Sequence, residues 1–258
     1  MSASLVSLAL RMGDNSLILA QQNSKWCGHA PTLEEDIALA NIALDLIGQA
    51  RLWFGFVDEI ERPRDGQTEG KRRKEDQLAF HRDASEFRNA YIVEQKNGDY
   101  GRTVMRQYLF DIWHEARIAD LCNSSNKAVT EIAQKSKNEV EYHVRRSRNL
   151  VLRLGAGSDE SIKRMQDALE YLWPSFGSLF EDAEMDAELE DNAVASKPSS
   201  FSDLVLNKIK EDISTTDLTI PQSMYFHKGA VHGIHSENLG HILSDMQFLQ
   251  RAYPGFEW

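Results

Sequence analysis

TVMRQYLFDIWHEARIADLC, residues 103–122, decides the fold. It has no glycine and no proline. Val104, Met105, Tyr108, Leu109, Phe110, Ile112, Trp113, Ile118 and Leu121 fall on all sides of a helix drawn through it. A helix that is apolar all round lies inside something. Asp111 and His114, three residues apart, share one flank of it. Burying a carboxylate or an imidazole alone is costly, so each needs partners there. A metal ion could supply them, and so could other side chains.

Helical patterning extends to both sides of this stretch. The spacing predicts helices near 4–22, with a break near Gly13, and near 33–58, 77–94, 101–123, 128–154, 158–173 and 236–252. Thr32 and Glu35 read as a capping box, with Glu34 and Asp36 in the first turn behind it. Asn97-Gly98 marks a turn, Gly155 a left-handed cap, Ser158 an N-cap and Pro174 a helix break. Residues 62–76, RPRDGQTEGKRRKED, read as a charged mobile loop, with the basic run at 71–74 solvated. The acidic run Glu181, Asp182, Glu184, Asp186, Glu188, Glu190 and Asp191 reads as a solvated face. Neither a solenoid-length repeat nor a series of alternating strands is present. The expectation is one all-α domain over 1–258.

The net charge of -11 argues against nucleic acid and anionic membranes as partners. Cys27 and Cys122 lack a pairing pattern, which points to a reducing cytoplasm. LVSLALRM near the start lacks a basic segment before it and runs on at helical spacing, so it reads as a first helix rather than a secretory signal. No apolar run reads as long enough to span a bilayer. Phosphate loops, Gly-x-Gly-x-x-Gly and Gly-x-Ser-x-Gly are absent. Cys27 stands near His29 in a turn, where packing explains a cysteine better than nucleophilic catalysis does.

Four long helices with inward carboxylates and imidazoles suggest a ferritin-like di-iron bundle. Such a site takes one Glu from each of two helices and a Glu-x-x-His pair from each of the other two. This chain has no Glu-x-x-His. It offers Asp111-x-x-His114 and Glu139-x-x-x-His143 instead, with Asp45 on the second helix turned towards apolar neighbours. Two readings stay open on spacing. One is an independent di-iron oxidase or oxygenase using Asp45, Asp111, Glu139 and His143. The other is a polar network of Asp45, Asp111, His114 and His143 that fixes helix register without metal.

DNSLILAQ, WCGHAPTLEEDIALANIALDLIGQAR, QYLFDIWH, EYHVRRSRNLVLRLG and HSENLGHILSDMQFLQRAYPGFEW together resemble the C subunits of bacterial phenylacetyl-CoA epoxidases. The likeness covers nearly the whole chain and departs most at the charged loop. It implies a non-catalytic structural subunit with no bound cofactor. The subunit would pair with a catalytic A subunit that holds the di-iron centre, and the assembly would dock a reductase. The reaction would be ring epoxidation of phenylacetyl-CoA with dioxygen and NADPH. Self-association is a further option. On this likeness one Glu-x-x-His falls on residues 45–48, where Gly48 replaces the histidine. The other falls on residues 140–143, where Val140 replaces the glutamate. Asp111 takes another carboxylate place, and Asp14 or Ser16 lies near the first-helix one. The contact surface is expected on the first two helices, at Leu17, Leu39, Leu46, Trp53 and Phe54, unless these pack internally against the C-terminal helix.

Overall fold

Two long helical hairpins make the frame of the computed structural model, which describes residues 1–61, 75–223 and 226–254. Helices α1 (Ser2–Ser24) and α2 (Leu33–Glu61) pack along each other, as do α4 (Tyr100–Leu121) and α5 (Lys127–Gly155), and α2 lies beside α5. Five more helices surround them: α3 (Glu75–Phe80), α6 (Asp159–Phe176), α7 (Asp186–Asp191), α8 (Ser202–Ile213) and α9 (Glu237–Ala252). The described residues contain no strand. Two hairpins joined by a long connection are the ferritin-like arrangement. The opening stretch is its centre, because every residue from Thr103 to His114 is buried.

The helix ends follow local chemistry. The Asp99 carboxylate accepts from the Arg102 amide at the start of α4, Asn126 does the same at α5, and Ser158 at α6. Thr32 Oγ1 accepts from the Glu35 amide at 3.4 Å, but Glu35 turns its own side chain to Tyr100 and Arg146, so only half of the expected box forms. The WCGHAP turn caps α2 another way, with the Gly28 and Ala30 amides both donating to the Asp36 carboxylate.

Several expectations are corrected. The helix expected over 77–94 stops at Phe80, and the chain then crosses α1 without further α-helix, with only a short 3-10 turn at Ala84–Glu86. The α1 side chains take up its backbone groups. Asp14 accepts from the Arg88 amide at 2.8 Å, Asn15 accepts from the Ala90 amide at 2.8 Å, and Gln22 donates to the Gln95 carbonyl at 2.8 Å. A buried segment whose amides are satisfied this way has no need of helical bonds. Helix α1 is unbroken at Gly13, where the missing side chain admits the Phe54 ring. Pro174 lies inside the last turn of α6 rather than ending it. Gly155 is not left-handed, and a Cβ there would meet Leu218 at 2.8 Å.

The acidic run is mostly exposed, as expected, with Asp186 as the buried exception and several members engaged in surface contacts. Asp186 is buried against Arg11, Glu188 takes the amino terminus and Ser4, Asp182 takes Ser199, and Glu181 takes the Gly229 amide. Leu39, Leu46, Trp53 and Phe54 are buried within the chain and Leu17 is half-buried against the core, so these residues do not form a contact surface. Among the described residues α2 is long and apolar enough to cross a membrane, contrary to expectation. The charged loop at 62–76 lies outside the described residues except for Glu75 and Asp76, which begin α3.

Candidate functional site in the polar core

The two hairpins bring the four long helices together around a polar core. Asp45 on α2 and His143 on α5 are joined, carboxylate oxygen to Nε2, at 3.0 Å. One turn along, the Gln49 amide donates to Glu139 at 3.0 Å. Asp111 on α4 accepts from Ser147 at 2.7 Å through one oxygen and from Gln107 at 2.6 Å through the other. Gln107 in turn accepts from Asn23 of α1 at 2.7 Å. A chain of hydrogen bonds through the Asp111 carboxyl therefore ties α1, α4 and α5, and a separate pair of contacts ties α2 to α5.

Electrostatics differ sharply within this core. Burial pushes the Asp111 carboxyl up to about 6, although His143, Ser147 and Gln107 pull the other way. Burial, helped by the charge of His143, holds the His114 imidazole down at about 3. Arg106 on the same helix is fully buried and reaches the Gln95 carbonyl at 2.8 Å, and burial lowers it to about 9.

The sequence-predicted residues divide accordingly. Asp45 and His143 meet directly. Asp111 joins the neighbouring chain through Ser147, four residues from His143. His114 makes no hydrogen bond through either ring nitrogen and lies against Phe110 and Trp113, so it is not a satisfied member of the network. Glu139 pairs with Gln49 rather than with Asp111. Asp14 points away into a buried pair with Arg82, 3.0 Å at its longer contact, and Ser16 bonds back to the Met12 carbonyl. Cys27 is exposed, and His29 turns to its backbone carbonyl rather than its thiol.

These donors do not match a di-iron pair. Gly48 and Val140 supply no ligand atom, and both Asp111 oxygens are occupied by neutral hydrogen-bond donors. Among the described residues no three His, Cys, Asp or Glu side chains form a metal-holding group.

Sequence reasoning missed a second polar system beside the bundle. Glu94, fully buried, accepts from Asn89 at 3.0 Å and the Ser236 amide at 2.7 Å, and meets His235 at 2.9 Å. Asp212 holds Tyr108 at 3.0 Å and Arg148 at 2.9 Å. The HSEN stretch that begins at His235 is the visible signal for the first of these. Its partners lie on a segment whose spacing reads as helix.

The fold and core define a class: a ferritin-like helical bundle with a polar centre that lacks the paired Glu-x-x-His ligands. A family model described as phenylacetic acid catabolic protein matches residues 1–258. The chain is 40% identical over 254 residues to the C subunit of 1,2-phenylacetyl-CoA epoxidase from Escherichia coli (strain K12), a match covering 98% of this chain and 99% of that one. The chain belongs to the phenylacetic acid catabolic protein family.

Proposed function

We propose that this chain is the non-catalytic C subunit of a phenylacetyl-CoA epoxidase. It pairs with a catalytic subunit that holds the di-iron centre and helps form the assembly to which a reductase docks. The observation that carries this reading is the end-to-end likeness to a relative named as that subunit. The core supports it, since the ligand places at Gly48 and Val140 are filled by residues that cannot bind metal. The chain then contributes structure, and ring epoxidation of phenylacetyl-CoA takes place in its partner. The exposed free thiol of Cys27 suits a reducing cytoplasm.

Co-expression with the catalytic subunit tests this. The two should co-purify, with about two irons per pair held by the partner and background iron in the isolated chain. Epoxidation should need both subunits. About two irons in the isolated chain would favour an independent oxidase built on Asp45, Asp111, Glu139 and His143. A catalytic subunit that neither binds this chain nor needs it would end the reading.

A further inference from the structure

A small cavity lies where α1, α4 and the 81–98 crossing meet the segments after α6 and before α9. Its volume is about 30 Å³, and Arg11, Asn15, Arg88, Trp113, Arg117 and Glu181 are among its lining residues. Room of that size holds a water or one small ion, and a phosphate or sulfate with its four oxygens does not fit. Guanidinium and indole groups donate hydrogen bonds and never accept them. Three arginines and a tryptophan around one cavity therefore call for an acceptor.

Much of their donor capacity is not engaged by the fold. Trp113 is 4% exposed, and its Nε1 meets no acceptor among the described residues. Arg117 is 2% exposed and uses only Nη1, on the Ser196 carbonyl and, at 3.5 Å, on Asp120. Asp120 is itself held by the Ser196 amide and hydroxyl. Arg88 gives Nη1 to the Ser85 and Phe87 carbonyls and forms no ion pair among the described residues. Asn15 accepts from the Ala90 amide through Oδ1, and no hydrogen bond among the described residues uses its Nδ2. The acceptors, by contrast, are engaged. Asp186 is held by Arg11, and both Glu181 oxygens take the Gly229 amide. Burial, with the Arg11 charge beside it, lowers the Arg117 guanidinium to about 10.

We infer that this cavity binds one halide-sized anion, with chloride as the common one, held by the Trp113 indole N–H and the Arg88 and Arg117 guanidiniums. A water also fits and also accepts, but it brings two hydrogens that need acceptors of their own. An anion needs only donors, and it supplies the negative charge that Arg88 lacks. The bound ion ties α4 to the 81–98 crossing. The inference does not depend on the subunit role.

Thermal unfolding of the full chain in sodium chloride and in sodium gluconate, at one ionic strength, tests it. Chloride should raise the wild-type melting temperature by about 2–4 °C over gluconate, the shift expected once the ion exceeds its dissociation constant a few-fold. Trp113→Phe keeps a ring and removes the N–H, and Arg88→Met removes a half-buried guanidinium. Both should abolish the difference between the salts, whatever they do to the melting temperature itself. Arg88→Met carries the test alone if Trp113→Phe does not fold. Trp53→Phe is the control, because the Trp53 Nε1 is also buried without a partner among the described residues but lies outside the cavity. It should keep the full difference. Crystals grown in bromide should show an anomalous peak within hydrogen-bond reach of Trp113 Nε1. Equal wild-type melting temperatures in the two salts, or a difference that survives either cavity variant, would overturn the site. So would a difference lost in Trp53→Phe as well, which marks a general salt effect on a weakened core. A cavity that holds only water in the bromide crystals would overturn it too.

Discussion

The Asp45 carboxylate sits 3.0 Å from His143 Nε2, with the imidazole fully buried and the carboxylate one-third exposed. This contact pins α2 to α5 where a ferritin-like enzyme would place metal ligands. Its two partners should be unequal. Asp45→Asn keeps an acceptor oxygen in a partly solvated place and should cost under about 1 kcal/mol. His143→Ala removes a buried ring as well as the bond and should cost about 2–4 kcal/mol. Urea unfolding at pH 7 measures both, and equal costs would contradict the asymmetry.

Acid sensitivity should trace to His114. Folded, it takes a proton only near about 3, against 6.5 unfolded. Between these values the unfolded chain binds more protons, so stability falls as pH drops from 6.5 towards 3. Asp111 has the opposite sign. It titrates near about 6 folded and 3.8 unfolded, so its contribution is lost as pH rises through that window. From pH 7 to pH 5 the His114 effect costs about 2 kcal/mol and the Asp111 effect returns about 1 kcal/mol. His114→Leu should therefore gain about 2 kcal/mol on wild type at pH 5 beyond any gain at pH 7. It should lose nothing at pH 7, because neither ring nitrogen has a partner to lose. Denaturant melts of both proteins at the two pH values check this.

The Asp14–Arg82 pair should be costly to break and cheap to replace. Both side chains are buried, and Asp14 also takes the Arg88 amide. Asp14→Ala leaves a buried guanidinium with no carboxylate partner and should cost about 3–5 kcal/mol. Asp14→Leu with Arg82→Met should recover a good part of that loss. A double-mutant cycle that shows no coupling would refute it.

Much of this fold is legible in the sequence because helical periodicity is local. The all-round apolarity of 103–122, the cap at Ser158 and the helical spacing of α9 each lie within one segment. The Asp45–His143 contact is legible too, since inward carboxylates and imidazoles on separate helices must meet something. The path of 81–98 is not, because its amides are satisfied by Asp14, Asn15 and Gln22 from a helix more than sixty residues earlier. The exposed apolar stripe of α2, Leu33, Ile37, Leu44 and Ile47, escapes the sequence for a related reason. Periodicity shows that a helix has more apolar surface than one stripe, but not which stripe its own bundle takes. The structure gives the bundle Leu46, Trp53 and Phe54 and leaves Leu44 and Ile47 outside.

Two glycines in the first hairpin should respond oppositely to alanine. In an open helical position Gly→Ala gains about 1 kcal/mol of helix propensity. At Gly48 nothing lies within 4 Å of the added Cβ, so Gly48→Ala should stabilise the isolated chain by about that amount. At Gly13 the Cβ would meet two Phe54 ring carbons at 2.5 and 2.8 Å. Phe54 is buried, and its ring has little room to retreat. Overpacking of this kind costs about 1–3 kcal/mol, which outweighs the propensity gain. Gly13→Ala should therefore be net destabilising, and pairing it with Phe54→Leu should relieve the strain while leaving the cost of the smaller side chain. Thermal unfolding of the two single variants and the pair tests this. Stabilisation by Gly13→Ala alone would mean that α1 and α2 are not held as closely as the Phe54 contact requires.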